Sequence, residues 1–350
     1  MRYQEPAHME FSRKMKGAID DILLSGVYTN GAYTDLLEKN FKETIGVSGE
    51  CIAVSSCTSG MMLLLMKDSC RPQISDFTFS ATAHSAYYSC LQMQLADIDR
   101  YTFNMTPKIH RTADSILATH IFGNPCECSE FERITSDEAI PLFFDGAHAI
   151  GATYKGKPVA DYGLATAFSL SPTKHVTSGE GGMLVVNDKE WAADLRLMRN
   201  YGNEDEYDCF LPGLSARMSE FNAVMGLESI RTYHERQKHR LKLVEEYKRH
   251  FDESMMQKVE PQGTSAWKDF SLLVAPSMTK RIKDALASHD IESKKYFRPI
   301  SELSCYRRVV EPQPWAHTVY FQIMQLPLHD NMTEEDVRVV SNIVLNVLRG

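Results

Sequence analysis

At 350 residues the chain is too long for one small core and suits a large domain with a smaller companion. Apolar residues make up 43% and charged residues 24%, the balance of a soluble globular enzyme. The formal net charge of -8 leaves no basic surplus to neutralise a run of phosphates, which argues against a general nucleic-acid binder but leaves room for a small anionic ligand.

The opening segment MRYQEPAHMEFSRK lacks the apolar stretch of a secretory signal. The longest purely aliphatic run, Met61 to Met66, falls far short of the ~20 residues that cross a bilayer. A cytoplasmic protein with no membrane segment is therefore expected. Residues 12–46 read as a helix, a glycine-bounded turn at Ser25–Gly31 and a second helix ending near Gly46. From about residue 51 to 186, short apolar runs alternate with helical or turn segments: CIAVS (51–55), SILATHIF (115–122), IPLFFD (140–145), ATAFSL (165–170) and GMLVVN (182–187). Runs of this length, bounded by turn signals, predict strands buried on both faces of a mostly parallel sheet flanked by helices, an α/β fold.

Residues 217–252 read as one long helical stretch, with Phe221, Val224, Met225 and Leu227, then Leu241, Val244, Tyr247 and Phe251, on its apolar face. Its basic middle, RTYHERQKHR (231–240), is expected to be a solvated face. A division inside this stretch near residue 236 separates a large domain (1–236) from a small α+β unit (237–350). The small unit is expected to hold a strand at 270–275, a helix at 278–289, a strand at 291–297 and a closing helix from about 334. Thr333 and Asp336 are spaced there as a capping box, with Val337, Val340, Val344 and Val347 on one face. The eight cysteines show no framework spacing, and the Cys126/Cys128 pair has no partner pair at zinc-finger spacing. Free thiols in a reducing cytosol and no metal site are expected.

Three segments carry chemistry. SSCTSGMMLLL (55–65) follows a strand and opens a helix, so its small and hydroxylated residues would present backbone N–H groups and the positive end of a helix dipole to a phosphate. LFFDGAHAIGA (142–152) puts Asp145 at the carboxyl end of a strand, where open α/β sheets bind ligands, with His148 three residues on. The bland alternatives are an N-cap for Asp145 and a hydrogen-bonded core histidine for His148. In AFSLSPTKHVTSGEGGMLVVN (167–187), Lys174 stands among Ser169, Ser171, Thr173, Thr177 and Ser178, ahead of Gly179, Gly181 and Gly182 that let the backbone approach closely. A lysine so placed is held against a ligand rather than left in water.

These segments, with SGVYTNG, DFTFSATAHS (76–85), THIFGNP (119–125), RLMRNYG (196–202), GLSARMSEFNAVMGL (213–227) and LPLH (326–329), run in order along nearly the whole chain. Together they resemble the DegT/StrS-type sugar aminotransferases. The resemblance implies the aspartate aminotransferase (type I) fold and a pyridoxal 5'-phosphate cofactor. Lys174 would hold that cofactor as a Schiff base and move a proton. Asp145 would pair with the pyridine nitrogen, His148 would stand beside the ring and Phe79 would stack on it. Backbone groups around Cys57 and Thr58, with the hydroxyls of Thr58 and Ser169, would hold the phosphate. Ser215 replaces an asparagine usual in relatives, where that element reaches the cofactor phosphate of the neighbouring subunit, so a homodimer with shared sites is implied.

The substrates implied are a nucleoside-diphosphate keto sugar and L-glutamate, for surface polysaccharide such as lipopolysaccharide or another glycan. Ser301 in YFRPISELSCY (296–306) stands where many relatives carry histidine. This leans toward amination at C4 of a 4-keto-6-deoxy sugar rather than at C3 of a 3-keto sugar. A dehydratase of the same fold would carry histidine in place of Lys174, and a non-catalytic regulatory protein would have little reason to keep Lys174, Asp145, His148 and Ser169 together.

Overall fold

The computed structural model describes residues 1–6, 13–203, 208–307 and 310–350. Helices α1 (Arg13–Ser25) and α2 (Ala32–Ile45) precede the sheet, as the turn at 25–31 predicts; residue 12, the expected start of the first helix, lies outside the described residues. The main sheet contains β1 (Glu50–Val54), β2 (Pro72–Ser75), β3 (Gln94–Ala96), β4 (Ser115–Thr119) and β5 (Leu142–Asp145). After two short strands, β6 (Thr153–Tyr154) and β7 (Lys157–Pro158), it is completed by β8 (Ala165–Ser169) and β9 (Gly182–Val186). The spatial order is β1-β9-β8-β5-β4-β2-β3. β9 is antiparallel to both its neighbours, and the other pairs are parallel.

The five expected runs all become strands of this sheet, because both its faces are covered. α3 (Cys57–Asp68), α4 (Ser80–Cys90) and α6 (Lys189–Met198) pack on one face. α2, α5 (Cys128–Asp137) and α7 (Glu220–Arg231) pack on the other. Successive residues of β5 therefore serve opposite cores: Phe143 meets Trp191 at 5.7 Å, and Phe144 lies against His120 at 4.6 Å. Burying each such ring contributes roughly 1.5–3 kcal/mol. β2 (PQIS) and β3 (QLA) were not among the expected runs, since their residues are polar or few.

The small unit packs α8 (Tyr233–Lys248), α9 (Pro276–Ala287) and α11 (Glu334–Arg349) on the antiparallel pair of β11 (Phe270–Leu273) and β12 (Ile323–Leu326). β10 (Gly263–Thr264) joins β6 and β7, and α10 (Pro314–Gln322) leads into β12. Thr333 and Asp336 do form the capping box of α11, and Val337, Val340 and Val344 are buried.

Three expectations are corrected. The stretch 217–252 is two helices, broken at Thr232, and Leu241 is exposed while Leu243 is buried. The basic middle is not simply a solvated face, because Arg236 and Arg240 clamp Asp330 at 2.9 and 2.6 Å and Arg240 is buried. No strand forms over 291–297. Lys294 alone pairs with Gln325, after which Tyr296 and Phe297 are drawn into aromatic contacts, Phe297 lying 5.4 Å from Phe122 and 5.9 Å from His148.

The first six residues run along the small unit. Glu292 N–H donates to Met1 O at 3.0 Å, Tyr3 N–H to Glu292 Oε2 at 3.2 Å, and His329 Nε2 meets Arg2 O at 3.1 Å.

Candidate active site

β1, β2, β4, β5 and β8 run in one direction, so their carboxyl ends open at the same edge of the sheet. There a cavity of about 630 Å³ is lined by Cys57, Thr58, Phe79, Asp145, His148, Ser169 and Lys174, every predicted site residue but one.

The start of α3 supplies one side. Ser56 caps it, its Oγ accepting from Ser59 N–H at 3.0 Å while Ser59 Oγ accepts from Ser56 N–H at 3.1 Å. The N–H groups of Cys57 and Thr58 belong to the first turn, which has no intrahelical partners. Gly182, at the start of β9, must be glycine because a Cβ there would stand 2.6 Å from Cys57 N. That close approach seats the glycine-rich turn directly under the helix start. Ser169 Oγ lies 3.2 Å from Ser171 Oγ beside it.

Asp145 ends β5 and is buried. Its Oδ1 accepts from Ala147 N–H at 3.0 Å and its Oδ2 from Thr82 Oγ1 at 2.7 Å. Thr78 Oγ1 stands 2.9 Å from the hydroxyls of both Thr82 and Thr119, so a chain of three threonines braces the carboxylate. It caps a local turn, not an α-helix. Burial pushes its pKa up, and the bonds from Thr82 and Ala147 work against that rise.

His148 is only partly buried, and its buried Nδ1 has no hydrogen-bond partner. It is thus not the satisfied core histidine of the bland reading. Burial holds its pKa well below the usual range, with Lys174 and Lys268 adding to the effect. Lys174 follows β8 on a turn closed by its own N–H to Ser171 O at 3.1 Å. Burial lowers the pKa of its amine, opposed by the negative charges of Asp269 and Asp145. Phe79, at the N-cap of α4, is 56% exposed to the cavity side and 5.8 Å from Phe297.

Ser215 is the exception. It is exposed, bridges Asn200 and does not line the cavity of its own chain. Sequence reasoning missed Thr82 and Thr78, although both sit in the quoted DFTFSATAHS. It also missed Gln4, Lys268, Tyr296 and Arg298, which line the cavity from the N-terminal segment and the small unit. No motif spacing links those four.

A buried carboxylate braced by hydroxyls, an amine held below its usual pKa, an imidazole nitrogen without a partner and an open helix start meet around this one cavity. The DegT/DnrJ/EryC1/StrS aminotransferase family model matches residues 10–345, and the chain belongs to that family. It is a transaminase of the nucleotide-sugar aminotransferase family, with the type I aminotransferase fold.

The chain is 24% identical to the UDP-4-amino-4,6-dideoxy-N-acetyl-beta-L-altrosamine transaminase of Campylobacter jejuni, over 98% of this chain and 96% of that protein. It resembles a crystal structure of DesI with its TDP-sugar product, with a TM-score of 0.89 and 25% identity over 99% of this chain and 92% of that one. It has the same fold as a sugar aminotransferase from Streptococcus pneumoniae solved in its PLP form, with a TM-score of 0.88 and 20% identity over 98% of each chain. The residues around the cavity fit pyridoxal phosphate: the orphaned His148 Nδ1 and the Cys57 and Thr58 N–H groups at the start of α3 are what a bound ring and phosphate would engage. Among the described residues, no helix is long and apolar enough to cross a membrane.

Proposed function

We propose that this chain uses pyridoxal phosphate to aminate a nucleoside-diphosphate keto sugar, at C4 of a 4-keto-6-deoxy sugar, with glutamate as amino donor. The observation that carries this reading is the meeting of Lys174, Asp145 and His148 with the start of α3 around one cavity. The C4 preference rests on Ser301 and on the 4-amino sugar in the name of the Campylobacter relative. Ser301 is buried and directs its side chain to Asp76, its Oγ donating to Asp76 Oδ2 at 2.8 Å.

When bound, pyridoxal phosphate supplies a protonated pyridine ring that accepts the electron pair left by a departing proton. The chain's own residues do the rest. Lys174 Nζ would hold the cofactor covalently until the amino donor displaces it and would then, as a free amine whose neutral form burial favours, move a proton between carbon centres. Asp145, fixed by Thr82 and Ala147, presents its carboxylate to the ring nitrogen. His148 stays neutral and offers Nδ1 beside the ring. Phe79 covers a ring face. Thr58 and Ser169 hydroxyls, with the N–H groups of Cys57 and Thr58, hold the phosphate.

The active unit in this reading is a homodimer. Ser215 and the 213–217 segment lie outside the cavity of their own chain, and Tyr201 and Phe210 nearby are exposed, as a segment serving the partner's site would be. With eight cysteines free, the cytoplasm is the fitting compartment. The test is the absorbance of purified protein reconstituted with pyridoxal phosphate. A visible band bleached by glutamate and restored by a keto nucleotide sugar is expected, with band and turnover both absent in Lys174→Ala. A variant turning over within tenfold of wild type overturns the assignment, and a monomer by light scattering at micromolar concentration overturns the dimer.

A further inference from the structure

Lys268 has no place in that chemistry, yet it is one of the most deeply set charges in the cavity. It precedes β11 in the small unit and is held by its backbone N–H to Phe122 O at 3.0 Å. It is 2% exposed and lines the cavity. Its ammonium donates to Gln4 Oε1 and stands 3.8 Å from Asp269 Oδ1.

Asp269 does not neutralise it well. Oδ1 already accepts from Tyr3 OH, from Gln4 Nε2 at 2.6 Å and from Tyr296 OH at 3.3 Å, while Oδ2 is buried without a partner. An ammonium has three donors, and the contacts to Gln4 and Asp269 leave capacity for a further acceptor. The cavity as a whole carries Lys174, Lys268, Lys295 and Arg298 against Asp145 and Glu180. Lys295 stands over the rings of Tyr320 and Phe321, and Arg298 is 3.6 Å from Glu302, so both belong to the half-open side. Burial pushes the Lys268 amine down to about 7, with Asp269 opposing the fall and Lys174 and Arg240 adding to it. A buried charge of this kind is costly unless a ligand completes it.

We infer that Lys268 is the anchor for a carboxylate on a substrate of this cavity, with Gln4 from the N-terminal segment and Asp269 setting its position. This rests on the aminotransferase reading only in calling the ligand a substrate. Two sources supply the same chemistry: a carboxylate of the amino donor, or an acidic sugar carrying a carboxylate beside its diphosphate. A compact point charge deep in the cavity suits either.

The test uses the full-length reconstituted protein and unreactive probes read by calorimetry: glutarate for the donor, and UDP-glucuronate against UDP-glucose for the sugar. In Lys268→Met, glutarate binding weakens at least tenfold if the carboxylate is the donor's. If it is the sugar's, the preference of UDP-glucuronate over UDP-glucose is lost instead. In the unaltered protein the affinity for the same probe falls at least threefold from pH 6 to pH 8.5, as the ammonium loses its proton at about 7; this decides the matter should Lys268→Met not fold. Unchanged affinity for both anions in Lys268→Met, or an affinity that does not change with pH in the unaltered protein, overturns the anchor and leaves Lys268 as a tether for Gln4. Since none of the probes reacts with an amine, failure of cofactor capture at Lys174 would be read separately.

Discussion

One wall of the cavity comes from strand ends and a helix start within a single sheet. The other comes from residues 268, 295–303 and 4, which meet only after the small unit and the N-terminal segment have docked. In the first wall Asp145 is braced by Thr82 and Ala147, and Ser56 by Ser59, all from the sheet's own strand ends and helices. In the second, the braces span the chain, as Tyr3 and Gln4 do to Asp269 and Lys268. In the proposed reading the first wall would hold the cofactor and the second would meet the substrate. Loss of a first-wall group should cost rate with every sugar, whereas loss of Lys268 should be read in the affinity for one class of ligand.

The comparison breaks first at Asp145. Asp145→Ala is expected to lower turnover at least ~100-fold, roughly 2.7 kcal/mol of barrier, while cofactor still binds through Lys174 and the start of α3. Near-normal kinetics would reduce Asp145 to a turn cap. A smaller effect should come from its brace. Thr82→Ala removes one hydrogen bond to a charged group, and about tenfold lower kcat is expected, about 1.4 kcal/mol. Burial raises the Asp145 pKa and Thr82 opposes the rise, so the variant should carry the acid limb of its rate profile to higher pH, and Thr82→Ser should restore it. An unmoved limb would mean that the threonine chain only packs.

The smallest expected effect concerns stability in the core behind the first wall. His120 is buried, stacked on Phe144 and pushed down to about 3 by burial. The unfolded imidazole takes its proton near 6.5, so between about 6.5 and 3 the unfolded chain binds more protons. Stability is unaffected by this group above that window. It falls as pH drops through it, by up to about 1.4 kcal/mol per pH unit. Urea midpoints at pH 7.5 and 5.5, compared with those of His120→Asn, measure the difference, and equal pH slopes in the two proteins would remove His120 as the cause.

The five apolar runs were legible because strands covered on both faces need unbroken apolar sequence, and β1, β4, β5, β8 and β9 supply it. β2 and β3 were not, because PQIS and QLA are placed by pairing with neighbours already formed rather than by their own pattern. The expected strand at 291–297 failed for the converse reason: its aromatic residues satisfy β propensity, but Tyr296 and Phe297 gain more from the site's rings than from a ladder. The basic stretch 231–240 read as solvent-facing because Asp330, the acid that clamps Arg240, arrives from 90 residues away.

By itself the sequence determined five strands of the sheet, the capping box of α11 and the order Asp145, His148, Ser169, Lys174, because each depends on contacts within a few residues or on a pattern of burial. Only the tertiary structure decided that Thr82 braces Asp145, that Ser215 lies outside its own cavity, and that Lys268, Asp269, Tyr3 and Gln4 form one cluster. Those contacts join residues up to 266 positions apart. Burial and electrostatics at such a junction depend on how separate elements dock, which no local spacing encodes.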